Sequence, residues 1–116
     1  MIPHGVEIFA ALEPVDMRWS FDRLAGLVES RIGRAPRSRA LFLFFGKRRD
    51  SLKVLFYDGT GLCIFYKRLD RGLFKLPEVH HPDATSVELD ELALDALLDG
   101  LALDTSTKAV ERRRIH

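Results

Sequence analysis

With 116 residues, 47% of them apolar and 30% charged, the chain is long enough for one globular domain with a real core. A net charge of +1 and no apolar run near the roughly 18 residues of a membrane helix argue against a membrane partner, and the opening MIPHGVEIF is too short and too polar for a secretion signal. The single cysteine, Cys63, cannot form an internal disulfide, which fits a reducing, cytoplasmic setting.

Val6–Leu12 (VEIFAAL) predicts a short strand, ended by Pro14. A helix follows over Ser20–Ile32: Ser20 caps it, Asp22 lies in its first turn, Arg31 in its last, and Gly33 supplies a left-handed exit. Phe21, Leu24, Val28 and Ile32 recur at helical spacing and share one face. GRAPRSR is then a cationic loop. Three strand-like runs come next, Leu41–Phe45, Leu52–Tyr57 and Leu62–Tyr66, rich in aromatic and β-branched residues. DGTG between the second and third is a tight hairpin signal, while GKRRDS between the first and second puts Lys47, Arg48 and Arg49 at a turn tip.

Pairing Tyr57 with Leu62 puts Lys53, Leu55, Tyr57, Leu62, Ile64 and Tyr66 on one face of this meander. Leu52, Val54, Phe56, Cys63, Phe65 and Lys67 take the other. Both faces are largely apolar, so both need cover. The first helix shields one; the other calls for the C-terminal helix or a second subunit, with Phe44, Leu55, Phe56, Ile64 and Phe65 mostly buried. In the C-terminal helix, Glu88–Leu98, Thr85 and Glu88 make a capping-box pattern and Leu89, Leu92, Ala93, Ala96 and Leu97 an apolar stripe. The fold class is therefore α+β over residues 1–103: a small antiparallel β-meander with one N-terminal and one C-terminal helix. Residues 104–116 read as a mobile basic tail.

The net charge hides a division. Arg18–Lys75 carries 14 Lys or Arg against 5 acids, whereas Glu78–Asp104 carries 8 acids and no Lys or Arg. A basic rim facing a polyanion is one reading, with Lys47, Arg48, Arg49, Lys67, Arg68 and Arg71 as its core and Arg18 and Lys53 in the same candidate set. Arginine forks suit phosphate oxygens, and Tyr57 and Tyr66 beside them suit unpaired bases. Six phosphate contacts imply a log–log salt slope of roughly −5 on duplex DNA. The competing reading is a solvated rim paired with Asp50, Asp58 and Asp70. Surplus leucines, Leu94, Leu98 and Leu101, set among Asp90, Glu91, Asp95 and Asp99, suit a protein-docking surface, against a wider core stripe.

Nothing points to catalysis or a cofactor. His80 and His81 in EVHHPD are adjacent and point apart, with no cysteine pair to complete a metal set. Asp16, Asp50 and Asp58 do not form the converging carboxylates of a two-metal nuclease; Asp16 instead suits a pair with Arg18 at the helix entrance. There is no P-loop and no dinucleotide fingerprint.

Taken together, DMRWSFDRLAGLV (Asp16–Val28), LFLFFGKRRDSLKVLFYDGTGLCIFYKRLDRGLFKLP (Leu41–Pro77) and LALDALLDGL (Leu92–Leu101) resemble the small TnpB-type accessory protein of bacterial IS66-type insertion sequences. Asp16, Met17, Arg18, Phe21, Lys53, Asp58, Gly59, Gly61, Tyr66, Lys67, Arg68, Leu69, Gly72, Phe74 and Pro77 match that family's motif. The RNA-guided nucleases that share the TnpB name are several times longer and carry zinc-binding cysteines. The resemblance implies a non-catalytic transposition accessory factor acting beside a separate transposase. The expected partners are the element's transposase, from the resemblance, DNA of low sequence specificity, from the basic rim, and a second copy of the chain that closes any apolar face of the meander left open; no membrane is expected. A protein–protein adaptor without direct DNA contact is the alternative.

Overall fold

A computed structural model describes residues 5–76, 79–100 and, as backbone, 109–113. Its elements in chain order are β1 (Ile8–Ala11), α1 (Phe21–Leu27) continued by a π-helical turn (Val28–Ile32), β2 (Leu41–Phe45), β3 (Ser51–Tyr57), β4 (Leu62–Arg68), β5 (Ala84–Leu89), α2 (Glu91–Leu98) and β6 (Ala109–Arg113). They form one six-stranded sheet in the order β4-β3-β2-β1-β5-β6 with a helix on each face, an α+β fold.

The β2–β3–β4 meander is antiparallel and has the expected register, with Tyr57 opposite Leu62. The sheet as a whole is mixed, because β1 lies parallel to β2, Ile8 opposite Leu41. Parallel neighbours need a long crossover, and the segment carrying α1 provides it. The central strands IFAA and LFLFF are apolar on both faces because both are covered. On one side Phe9, Phe42, Phe44 and Leu55 pack against Leu24 and Val28, with Phe9 stacked on Phe42 at 5.9 Å. On the other, Leu43, Phe45, Leu52 and Val54 pack against Ala93, Leu94 and Leu97 of α2 and against Phe74, whose ring lies 5.8 Å from Phe45.

Helix α1 follows expectation in its span, and Gly33 closes the π turn at φ 77°, its N–H bonded to Val28 O at 2.8 Å. Ser20 occupies the N-cap position but its side chain makes no cap bond.

The C-terminal region departs from expectation. Ala84–Leu89 is a strand, pairing Phe9 with Glu88 and Ala11 with Ser86, so Thr85 and Glu88 form no capping box. Thr85 instead donates its hydroxyl to Arg31 O at 2.6 Å, and Asp90 is the N-cap of α2, its Oδ1 accepting from Ala93 N at 2.8 Å. Alternating β-branched Thr85 and Val87 suit an edge of β1 better than a helical turn. Ala109–Arg113, inside the stretch read as a mobile tail, pairs antiparallel with β5. The helix stripe is rotated too: Leu92 is 76% exposed while Leu94 is 1% exposed and part of the core. Phe65, expected inside, is 48% exposed, because β4 is the outermost strand and its ring lies beyond the part of that face covered by α2.

Candidate nucleic-acid interface

Three segments converge at one end of the sheet. The first is the β2–β3 turn, closed by Gly46 N to Ser51 O (3.1 Å) and Arg49 N to Gly46 O (3.0 Å), with Lys47 and Arg48 exposed at its tip. The second is the end of β4 and its following turn, tied to the first by Leu69 N to Asp50 O at 2.8 Å; it presents Arg68 and Arg71 to solvent. The third is the chain after β1, held by Val15 N to Phe45 O at 2.8 Å. Met17 of this segment lies over Gly46, where an added Cβ would meet Met17 Cγ at 3.0 Å. That close approach is what glycine permits. A pocket of about 220 Å³ opens between the three, lined by Met17, Gly46, Lys47, Arg48, Asp50, Ser51, Tyr66 and Arg68.

Arg18 stands beside this end. Its guanidinium grips Asp16 through two nitrogens, Nη2 to Oδ2 at 2.7 Å and Nε to Oδ1 at 3.1 Å, as the sequence suggests. The Arg18 side-chain bonds, its backbone N–H and then the more distant charge of Lys47 hold the Asp16 carboxyl down at about 2. Arg18 is thus half-committed: one edge of its fork is occupied while its side chain remains 90% exposed.

Two candidate cations are bonded within the fold. Lys53 is only 8% exposed; its Nζ donates to Trp19 O at 2.8 Å and lies 5.0 Å from the Tyr66 ring centre. It anchors the entrance of α1 to the sheet. Lys67 points to the opposite face and donates to Leu98 O at 2.6 Å, capping the C-terminal end of α2. Arg49 is half-buried in a left-handed conformation, φ 63°, its guanidinium 5.8 Å from the Phe45 ring centre and 3.4 Å from Leu12 O. Its charge is spent mainly on local structure. Tyr57 is also excluded from the rim, because β3 carries it to the far end, where its hydroxyl bonds Gly59 O at 2.8 Å.

The competing pairing with Asp50, Asp58 and Asp70 is not what forms. Asp58 sits at the far hairpin and takes Thr60 N, Thr60 Oγ1 and Gly61 N on one oxygen, each at 2.9 Å. Among the described residues, no ion pair joins Lys47, Arg48, Arg68 or Arg71. Asp50 does line the same pocket and tempers its charge. The docking leucines fare differently: Leu94 is core, Leu98 is half-buried against the same cluster, and Leu101 lies outside the described residues.

Sequence reasoning missed the roles of Lys53 and Lys67, and strand position carried a signal for the first. A lysine in the middle of an apolar strand between two covered strands must have an internal partner. Among the described residues, no group of three or more His, Cys, Asp or Glu is placed to hold a metal ion, and no helix is long and apolar enough to cross a membrane. Partial burial pushes the Cys63 thiol up, away from the reactive thiolate.

The fold and this end of it define a small α+β domain with an exposed cationic surface. Residues 6–108 match the family described as IS66 Orf2 like protein, and the chain belongs to that family, with an insertion-sequence accessory role. It is 36% identical over 103 residues to the uncharacterized protein y4hO of Sinorhizobium fredii, covering 87% of each chain. It is 36% identical over 75 residues to the uncharacterized protein y4jC of the same organism, covering 65% of this chain and 64% of that one. No solved structure matches.

Proposed function

We propose that this accessory protein contacts DNA, or the element's transposase–DNA complex, through the sheet end formed by Lys47, Arg48, Arg68 and Arg71, with Arg18 at its border. The observation that carries this reading is that four exposed cations from two turns share one end of a rigid sheet with no carboxylate paired to them among the described residues. Rigid strands beneath the turns lower the ordering cost of binding. Tyr66, 53% exposed beside the pocket, offers a ring face to an unstacked base.

Because Lys67 and Arg49, two of the six cations of the rim's core, are engaged elsewhere, the expected contact number falls to four. The log–log salt slope on duplex DNA then becomes roughly −3.6, shallower than the six-contact value. Fluorescence anisotropy of a labelled duplex across a salt series measures it. Arg48→Glu and Arg68→Glu should each weaken binding on every sequence tried, with unchanged thermal unfolding. No binding at low salt, or a flat salt response, overturns the reading.

A second reading, docking of the transposase on α2, now rests on Leu92, which is exposed between Glu91 and Asp95. Leu92→Asp should abolish co-purification with the transposase and leave DNA affinity intact if that surface is used.

A further inference from the structure

The hairpin hydrogen bonds fix which backbone groups of β4 look outward. Asp58 N donates to Gly61 O at 3.1 Å at one end, Leu69 N to Asp50 O at 2.8 Å at the other, and no register shift intervenes. In an antiparallel pair, bonded and non-bonded positions alternate. Cys63, Phe65 and Lys67 therefore exchange their bonds with β3, whereas Leu62, Ile64, Tyr66 and Arg68 turn N–H and C=O toward the open side. Among the described residues that side has no strand neighbour, because β4 ends the sheet. Exposed edges are normally guarded by proline, a bulge or an outward lysine. β4 has neither proline nor bulge, and Lys67 is drawn under α2 onto Leu98 O. What it shows solvent is Phe65, 48% exposed, and Tyr66, 53% exposed, with the one exposed cation, Arg68, at its very end.

We propose that this edge is completed by β4 of a second copy, antiparallel, about a two-fold axis through Phe65. The register follows from the outward groups. Leu62 then faces Arg68 of the second copy and Ile64 faces Tyr66, so all four outward residues are bonded. A register centred on Ile64 would instead leave Arg68 opposite the turn residue Thr60. Phe65 meets its own counterpart at a non-bonded position, where side chains approach most closely. Ile64 and Tyr66 form the cross-strand pair on the other face.

Charge favours the same partner. An antiparallel copy brings its Asp58 turn alongside the Arg68–Arg71 turn of the first, twice, by symmetry. Asp58 is already fixed by three bonds to one oxygen, and its residue is exposed. Acid and base therefore meet with little further ordering. Lys47 and Arg48, on the β2–β3 turn, stay clear of this edge, whereas Arg68, Arg71 and Tyr66 are shared with the DNA contact proposed above, so the test reads mass in the absence of DNA and at residues outside that contact.

The test uses the full chain and light scattering coupled to size exclusion. The wild-type protein should have twice the chain mass. Phe65→Lys and Phe65→Glu should each run as monomers, because the axis opposes like charges, and their equimolar mixture should recover the doubled mass. A Cys63→Ser, Phe65→Cys double variant should form an intermolecular disulfide under mild oxidation, while the wild type, whose Cys63 faces Lys67, should not. The trap also decides the matter should a charged variant fail to fold. A monomeric wild type, a Phe65→Lys variant that stays dimeric, a mixture that stays monomeric, or an untrapped Phe65→Cys overturns the proposal.

Discussion

Replacing Lys67 by methionine separates structural from DNA-facing cations most sharply. Lys67 donates to Leu98 O at 2.6 Å, and the last turn of α2 has no basic residue of its own. The stem is half-buried, so methionine keeps most of its packing and removes the charge. A hydrogen bond from a charged donor contributes about 1.5–3 kcal/mol and a cation at a helix C-terminus about 0.3–1 kcal/mol. Fixing the lysine offsets up to about 1.5 kcal/mol of this in lost rotamer freedom. The net loss is about 1–2 kcal/mol, which for a domain of this size lowers Tm by roughly 5–10 °C. Circular dichroism melts and urea unfolding read that loss. Anisotropy on the same sample should show duplex affinity within about twofold of wild type, since one exposed phosphate contact fewer would also flatten the salt slope by about 0.9. Lys67→Gln, which keeps a donor without the charge, should fall between. Unchanged stability together with a loss of affinity as large as that of Arg68→Glu would refute the assignment and return Lys67 to the rim.

Leu94→Asp should unfold the domain, because it buries a carboxylate where Leu94 is 1% exposed; a cooperative melt near the wild-type Tm would show that α2 does not pack as described. Thr60 N, Gly61 N and the Thr60 hydroxyl hold the Asp58 carboxyl down at about 2, from an ordinary 3.8. A depressed acid stabilises the fold above its unfolded value and loses that contribution as pH falls from about 4 toward 2. Carboxyl NMR should place its midpoint near 2, and Asp58→Asn should flatten the acid limb of the stability curve. Gly33→Ala places a Cβ in open space at φ 77°, so its cost is conformational, about 1–2 kcal/mol, read as a lower urea midpoint with unchanged m.

The meander and α1 were legible because their signals are local. Asp-Gly sets the β3–β4 register, and a helical stripe from Leu24 to Val28 selects the buried face. The parallel β1–β2 contact was not legible, since strands as short as IFAA and LFLFF are apolar throughout and carry no mark of neighbour or direction. β5 was lost for a different reason. Thr85-x-x-Glu88 satisfies a capping box, and only the vacancy beside β1, a tertiary fact, makes the same residues a strand. That error propagated: starting the helix at Glu88 instead of Asp90 rotated its stripe, exchanging the roles of Leu92 and Leu94.

The candidate interface was legible as a composition of charge and illegible as a set of residues, and alternation explains the difference. Lys67 and Arg68 are neighbours on β4, so they project to opposite faces. The face that holds α2 turns its lysine into a cap; its neighbour is left to solvent. Lys53 and Tyr66 are opposite each other across β3 and β4, and the chain entering α1 passes over them, which gives the lysine Trp19 O and leaves the ring half-exposed. In both cases the strand pattern states the face, but what covers that face is set by where each helix lands. The turns escape this dependence: Lys47 and Arg48, beyond the paired residues of β2 and β3, are exposed among the described residues and remain outward whichever face is covered. A basic hairpin tip is therefore a better guide to a phosphate contact in this sheet than an equally basic strand.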